Sequence, residues 1–491
     1  MIVSWEKSLR RHWLLAGCLL LLSGCTWLAE LPLTLPGSPT ATPEPSPQPS
    51  ATPVSAGPLE TPVPVPTVSQ GAQALALQFW VPEFLNPDAE TAVAKVLSAQ
   101  VDGFVDITQN VQVQMVVKSD AGMGGIYNLI STARDVAPSI LPDVVVMNQH
   151  DIIAAADAGL LQSLTSSLPA DAGFFPTALS AVTTGNGVWA FPYVARAEHM
   201  AYVAVEGDAT VVTPTVAATP TAAVTGTAVI TESTVRLPFS WTDVISGSYE
   251  MLFAAGPADG LASDTLLAIY LGSGGRVMDP SGQASLDRSS LERVYSFFGA
   301  MRDSGLLDAE VALALPDASA CWALYQTGKG QLTPVPAGLY WHFPVEPTSD
   351  EELSATQPPV RPSLPGWAPT ASGDPITVMK VWGLAVVTQD PARREAALGL
   401  IRWLVSAQHM ADLANAAALV PARRPAIEAW PIDPDDAAML SDLLTNSVSA
   451  LPPTVDSAVR RALQAGLTAL LQGDVDSPQA AASQALTALR R

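Results

Sequence analysis

An α/β fold built around a parallel sheet is what the sequence predicts, and three observations predict it. From residue 75 onward, apolar runs of strand length alternate with segments of helical spacing. One of those runs, Asp143–Met147 (DVVVM), is short and apolar throughout after its first residue, as strands covered on both faces are. The chain has 491 residues, 48% hydrophobic and 14% charged, enough to bury a large core and to build two or three domains.

The N-terminus reads as an export signal. Lys7, Arg10 and Arg11 form a basic start, and residues 13–24 are apolar or small. That length fits the ~7–15-residue core of a secretory signal and falls short of the ~20 residues that span a bilayer. Leu22-Ser23-Gly24-Cys25 looks like a bacterial lipobox, which implies cleavage before Cys25 and lipid attachment to it. Leu15-Ala16-Gly17-Cys18 fits the same pattern after a shorter apolar run, and an uncleaved anchor over residues 13–29 is the other reading. In each case the bulk of the chain is expected on the extracytoplasmic face of the bacterial cell membrane, tethered there. Residues 32–67 then carry twelve prolines. Prolines at that density favour extended polyproline II at ~3.1 Å per residue, so 25–72 reads as a Pro/Thr/Ser-rich tether.

In the folded part, residues 74–80 (ALALQFW), 111–117 (VQVQMVV) and 143–147 read as strands. Ala89–Val101 and about Ile126–Val136 lie between them with helical spacing, which implies right-handed crossovers. Residues 150–164 add a helix ending near Gly159. The Thr/Ala/Pro/Val-rich stretch 208–234 reads as a surface insertion in one fold, with a domain linker as the alternative. Beyond it, 239–247 looks like a helix start anchored by an aromatic residue, and 261–272 like an apolar helix. Leu291, Val294, Tyr295 and Phe298 mark an amphipathic helix closed by Gly305. Val381–Val387 reads as a strand, and Asp390-Pro391 as N-cap and first-turn proline of the next helix. Val455, Val459, Leu463 and Leu467 give one late helix, and Ser477-Pro478 starts the last.

Charge and cysteine usage narrow the function classes. A net charge of −22 repels phosphate backbones, so no nucleic acid is expected as a partner. Of three cysteines, two lie in the N-terminal segment, leaving Cys321 without an intramolecular partner. No HExxH, CxxC or GxSxG occurs, and the glycines of 121–128 and 271–276 fit neither a dinucleotide nor a P-loop pattern. No cofactor, no metal and no catalytic residue is expected.

With elements in this order, the chain resembles the extracellular solute-binding proteins of bacterial ABC importers, the group that includes the sugar-binding family 1. The stretch 141–164 (LPDVVVMNQHDIIAAADAGLLQSL), Ser240–Val244 (SWTDV), the Gly-Gly passage 272–307, residues 382–427 ending in LVPARRPAI, and 470–486 carry the likeness. That resemblance implies a two-lobe, periplasmic-binding-protein-like (type II) fold with an interlobe cleft and a hinge. It places lobe 1 at 73–198, lobe 2 at 199–335, a return to lobe 1 at 336–415, and C-terminal helices packing on lobe 2 at 416–491. The first crossing is expected near Pro192–Tyr202 and the return near Pro336–Phe343. A Pro-rich loop, 344–370, interrupts the family pattern.

A sugar offers an apolar ring face and a rim of hydroxyls, so its site needs aromatic faces and a few hydrogen-bonding groups. Trp80, at the end of the first strand, Trp189 and Tyr193 beside the first crossing, Trp341 beside the return, and Trp382, opening a strand where the family likeness puts glycine beside ligand, are the candidate ligand contacts. Each has a core-packing aromatic as its alternative. Glu83, Asp88 and Arg196 are candidate polar contacts with solvated charge as the alternative, Arg423 and Arg424 read as caps or ion-pair partners, and Cys321 as a quiet buried thiol. The function implied is a lipid-anchored monomeric receptor, not an enzyme, that hands a solute, a sugar by the family likeness, to a membrane permease. A diverged member kept as a surface sensor or structural lipoprotein is the alternative. A glycosidase is a distant third, since no pair of carboxylates stands out.

Overall fold

The computed structural model describes residues 75–203, 240–342 and 361–491, apart from positions 109, 121, 170, 171 and 186. The signal segment 1–24, Cys25, the tether 25–72 and the insertion 208–234 lie outside the described residues.

The chain begins by building a sheet with crossover helices: β1 (Leu75–Pro82), α1 (Ala92–Thr108), β2 (Val111–Lys118), α2 (Ile126–Val136), β3 (Val144–Asn148) and α3 (Gln149–Asp157). β1 lies parallel to both β2 and β3. A short helix, α4 (Pro176–Ala181), and a hairpin of β4 (Thr183–Thr184) and β5 (Gly187–Val188) lead into β6 (Phe191–Arg196). At Ala197 the chain leaves this sheet, and β7 (Glu198–Tyr202) opens a second, smaller one.

Five helices follow: α5 (Trp241–Ser246), α6 (Asp264–Gly272), α7 (Arg288–Asp303), α8 (Ala309–Ala314) and α9 (Ala318–Gln326). α5 starts with a capping box, in which the Ser240 hydroxyl accepts from the Asp243 N–H and the Asp243 carboxylate accepts from the Ser240 N–H. β8 (Leu332–Pro336), α10 (Ala337–Tyr340) and β9 (Leu364–Gly366) come next, and the smaller sheet has the order β8-β7-β9, all antiparallel.

β10 (Thr377–Val386) returns to the larger sheet, antiparallel to both β3 and β6. Asp390 caps α11 (Pro391–Leu404) through the Arg393 N–H at 2.8 Å, and α12 (Ala407–Ala416) follows. β11 (Val420–Pro421), α13 (Arg424–Glu428), α14 (Pro434–Thr445) and β12 (Ser447–Ser449) precede the long pair α15 (Pro453–Gln472) and α16 (Pro478–Leu489). The larger sheet runs β11-β6-β10-β3-β1-β2, with β12 beside the first residues of β10. Its first three strands are parallel as the alternating pattern requires, and β6 and β10 make the whole sheet mixed.

Each face of the larger sheet has its own core. On one side Ile126, Ile130, Ile152 and Leu443 pack against Val145 and Met147; on the other Leu97, Val101, Leu400 and Leu413 pack against Val144 and Val146. A separate core around Phe253, Leu267, Val294 and Phe298 is closed by α15 and α16 through Val459, Leu463, Leu467 and Ala485. These cores define the two lobes.

Two expected boundaries are corrected. Residues 416–491 do not pack as one block on lobe 2: β11 pairs with β6, and Ile427, Leu440 and Leu443 fill the larger core, so the segment that joins the smaller one begins about Val448, with Ala450, Leu451 and then α15 and α16. The return at 336 is also incomplete. Ala337 and Trp341 enter the larger core, but β9 then pairs with β7, and Thr370 accepts from the Trp241 N–H at 3.0 Å. The Pro-rich region therefore contributes an edge strand to the smaller sheet, where prolines are tolerated because one side needs no ladder bonds.

Gly338, in α10, passes close to the turn between α12 and β11. A Cβ there would sit 2.2 Å from the Ala418 carbonyl oxygen and 2.3 Å from its carbon, neither of which is free to move aside. Gly338→Ala is expected to cost about 1–3 kcal/mol of stability. The urea midpoint should fall while the far-ultraviolet circular dichroism of the folded baseline is unchanged.

Candidate functional site

Because β1, β2 and β3 are parallel, their carboxyl ends share one edge of the sheet, and β6 ends and antiparallel β10 begins at the same edge. That edge lies beside the crossings to the smaller lobe. Side-chain alternation then decides what it presents. Ala195, Ala197, Met379 and Val381 point into one core, so Arg196, Lys380 and Trp382 point to the opposite face. In register, Lys380 lies opposite Arg196, and Trp382 opposite Asn148. The Trp382 ring is half-buried and takes the edge of Phe84 at a centroid distance of 5.4 Å.

Polar groups surround this ring. Asn148, as N-cap of α3, accepts from the Asp151 N–H at 3.0 Å and donates Nδ2 to the Asp151 carboxylate at 3.0 Å. Burial raises the Asp120 carboxyl above the usual range, Glu83 adds to this, and the Trp382 N–H and Asn148 oppose it. The indole N–H faces Asp120 without completing a hydrogen bond. Asp151 is raised too, by burial first and by Asp120, against Asn148 and His150. A cavity of about 250 Å³ is lined by Asn148, His150 and Asp151 of the larger lobe and by Pro453, the first residue of α15, of the smaller. Carboxylates and amides around an aromatic face can accept hydroxyl protons while the ring covers an apolar surface.

The crossings beside this floor are pinned by buried polar groups. Gln149 accepts from the Val381 N–H at 2.9 Å and donates to the Ala450 carbonyl at 3.2 Å and the Ser449 hydroxyl at 3.1 Å, joining two crossing segments. Asp264, at the start of α6, takes Lys380 of β10 at 2.8 Å and Arg460 of α15 at 2.5 Å. Arg460 also holds Asp456 and the Ala262 carbonyl, both at 2.8 Å. Burial would raise Asp264, but Lys380 and Arg460 outweigh it and hold the carboxyl below the usual range. Glu198, at the start of β7, is raised by burial and then by Asp264, although its carboxylate accepts from the Thr265 hydroxyl at 2.6 Å and N–H at 3.0 Å.

The five aromatic candidates do not converge. Trp80 is 5% exposed, packed in the larger core with the Lys118 ammonium 5.0 Å from its ring. Trp189 donates to the Thr184 hydroxyl at 3.1 Å near the amino end of β6, the far end of that strand from Arg196. Tyr193 is fully buried in the α11–α12 core, where lack of water pushes its phenol far above the ordinary range. Trp341 is 2% exposed and stacks on His199 at 4.6 Å. Trp382 alone of the five stands on the cleft floor.

Among the polar candidates, Glu83 and Arg196 reach that edge, both exposed. Asp88 is exposed in the turn after β1, where its N–H donates to Asn86. Arg423 donates to the carbonyls of Ala172 and Val405, and Arg424 to the Thr445 hydroxyl at 2.8 Å. Cys321 is fully buried, and burial pushes its thiol well above the ordinary range. Asp120, Asn148, Asp151 and Lys380 escaped sequence reasoning. Their signal was positional, since Asp120 and Asn148 sit where the apolar strands VVK and VVVM turn polar.

A profile of bacterial extracellular solute-binding proteins matches residues 105–439, and the chain belongs to that family. Solved structures repeat its architecture. Maltose-bound MalE3 of T. maritima superposes with a TM-score of 0.56 at 16% identity, over 85% of this chain and 99% of that one. The cyclic alpha-maltosyl-1,6-maltose binding protein of Arthrobacter globiformis gives 0.59 at 13% identity, over 85% and 98%. An extracellular solute-binding protein family 1 from Alicyclobacillus acidocaldarius gives 0.59 at 15%, over 85% and 98%. No curated protein matches the sequence. The fold is that of the maltose-binding-protein-like periplasmic binding proteins.

The buried ion cluster makes opposite demands on pH. Glu198 keeps its proton to higher pH in the folded than in the unfolded chain, so its contribution is full in acid and lost as pH rises through its folded value. Asp264 is the reverse, its contribution being lost as pH falls through its depressed folded value. Glu198→Gln is therefore expected to flatten the alkaline side of the stability profile and to be neutral or stabilising near neutral pH. Asp264→Asn, which strands Lys380 and Arg460, should cost about 3–5 kcal/mol. Urea midpoints measured across the pH range read both.

Proposed function

We propose that the chain is a lipid-anchored, extracytoplasmic receptor that binds a carbohydrate between its lobes and delivers it to an ABC-type importer. The single observation that carries this reading is the half-buried Trp382 ring on the cleft floor, flanked by Asn148 and the Asp120 and Asp151 carboxyls. A pyranose laid on that ring buries its apolar face and gives its hydroxyls acceptors within reach. The structural neighbours include proteins solved with maltose and maltotetraose, which supports the ligand class.

Transfer needs a closed state that differs from the open one. Solute bound to both lobes stabilises closure by its differential affinity for that state. The crossings at 196–198, 377–380 and 446–453 are where bending concentrates, because the lobes' cores lie on either side of them. No chemistry on the solute is required, and it leaves the receptor intact.

Cys25, behind Leu22-Ser23-Gly24, is the attachment point in this reading, and the Pro-rich tether holds the lobes away from the bilayer. Cys25→Ser should leave an unprocessed, unlipidated precursor, whereas Cys18→Ser should still be lipidated; mass spectrometry of the N-terminal peptide separates the two.

Solute binding is tested by calorimetry and small-angle scattering on the full chain with neutral and charged saccharides. Binding should shrink the radius of gyration, and Trp382→Ala should weaken it by about 1–3 kcal/mol. Chemically altered solute after long incubation would overturn the receptor reading. A surface sensor would also close on its ligand, yet a strain lacking the protein would take up that sugar normally.

A further inference from the structure

Arg196 is an exposed cation on the cleft floor that no group among the described residues neutralises. It lies on the face that carries Trp382 and Asn148, directly opposite Lys380 on the neighbouring strand. Like charges in directly opposite positions of an antiparallel pair destabilise it. Lys380 has its answer in Asp264. Arg196 has none, with no hydrogen-bond or ion-pair partner among the described residues.

The nearby anions are committed elsewhere. Asp264 is shared by Lys380 and Arg460, Asp456 holds Arg460, and the Glu198 carboxylate is bonded by Thr265. On the other side of Trp382, across β10 and β3, the groups change sign: Asn148, Asp151 and Asp120, with Glu83 beyond. The floor thus reads, in strand order, guanidinium, aromatic platform, then hydroxyl acceptors. Adjacent strands are about 4.8 Å apart and the two positions are offset by two residues of about 3.3 Å rise, so the Cα atoms of Arg196 and Asn148 are roughly 12 Å apart, a separation that one or two sugar rings with their side-chain contacts can bridge.

We propose that the solute is an acidic saccharide, a uronate or uronate-containing oligosaccharide, whose carboxylate is taken by Arg196 while a ring rests on Trp382. A guanidinium matches a carboxylate with two parallel N–H···O bonds, which an ammonium cannot reproduce. Binding fills the unmet charge beside Lys380, whereas a neutral sugar leaves it in place. With a net charge of −22 the chain does not steer anions from a distance, so the preference arises on contact. This inference rests on the saccharide reading and specifies the charge of the ligand.

The test is calorimetry on the full chain with glucuronate, galacturonate and their short oligomers, each against the neutral sugar of the same ring and the corresponding amino sugar. At least one uronate should bind tenfold or more tightly than its neutral counterpart. In Arg196→Gln that ratio should fall close to one at a melting temperature unchanged or slightly raised by loss of the repulsion with Lys380, and Arg196→Lys should recover only part of it. Should the Gln variant fail to fold, the Lys variant alone decides, because an undiminished ratio there overturns the two-bond pairing. Equal binding of neutral and acidic sugars overturns the inference and leaves the saccharide reading standing. Preference for the amino sugar also overturns it and points to the carboxylates as the charge reader. If no saccharide of any charge binds, the saccharide reading itself falls.

Discussion

The strand Thr377–Val386 holds the molecule together, and one carboxylate makes that possible. The strand's second half lies between β3 and β6 in the larger sheet, while its first residues pair with β12 at the crossings. Lys380 sits between these halves and reaches Asp264 at the start of α6, which in turn holds Arg460 of α15. A strand of one lobe and two helices of the other thereby meet on a single buried anion. A buried ion pair yields little net stability over an apolar substitute, but removing one partner strands the others. Such a cluster therefore fixes register at the junction more than it strengthens it, and the floor of the cleft inherits that register.

The register has a direct consequence for recognition. With Lys380 opposite Arg196 and Trp382 opposite Asn148, one face of a single sheet edge presents a cation, a ring and acceptor groups side by side. None of these residues is adjacent to all the others in the chain, and β3, β6 and β10 must all be in place before they meet. The crossings and the candidate site are in this sense one structure: the floor belongs to the larger sheet, and Pro453 of α15 borders its cavity from the smaller lobe.

The aromatic candidates show where reading along the chain stops. Trp80 and Tyr193 follow the pattern of strand residues near a crossing, as Trp382 does. Trp80 and Tyr193, however, sit where helices cover the sheet on both faces, and both are buried there. Trp382 stands in the middle of β10 but opposite Asn148, the last residue of β3, at the sheet's edge, and stays half-exposed. Alternation assigns a side chain to a face but does not say whether a helix lies over that face at that height. The same limit hid Asn148, Asp120 and Asp151, polar residues just past strand ends that read equally well as turn and cap residues. Asn148 is in fact both cap and floor.

By itself the sequence determined the alternation of strands and helices, the parallel start of the larger sheet, the helix starts at Ser240, Asp390 and Ser477, and the family through its ordered motifs. These are local properties, set by apolar spacing and by side chains that cap their own helices, and no distant contact is needed to read them. Tertiary structure alone decided that β10 runs antiparallel, that the Pro-rich region returns to edge the smaller sheet, and that residues 416–446 belong to the larger lobe. It also decided which aromatic ring meets the cleft and that Arg196 faces it without a partner among the described residues. Strand pairing and the burial of a given face depend on groups hundreds of residues apart, such as Glu198 with Thr377 or Gln149 with Ala450, and that pairing is written in no single segment.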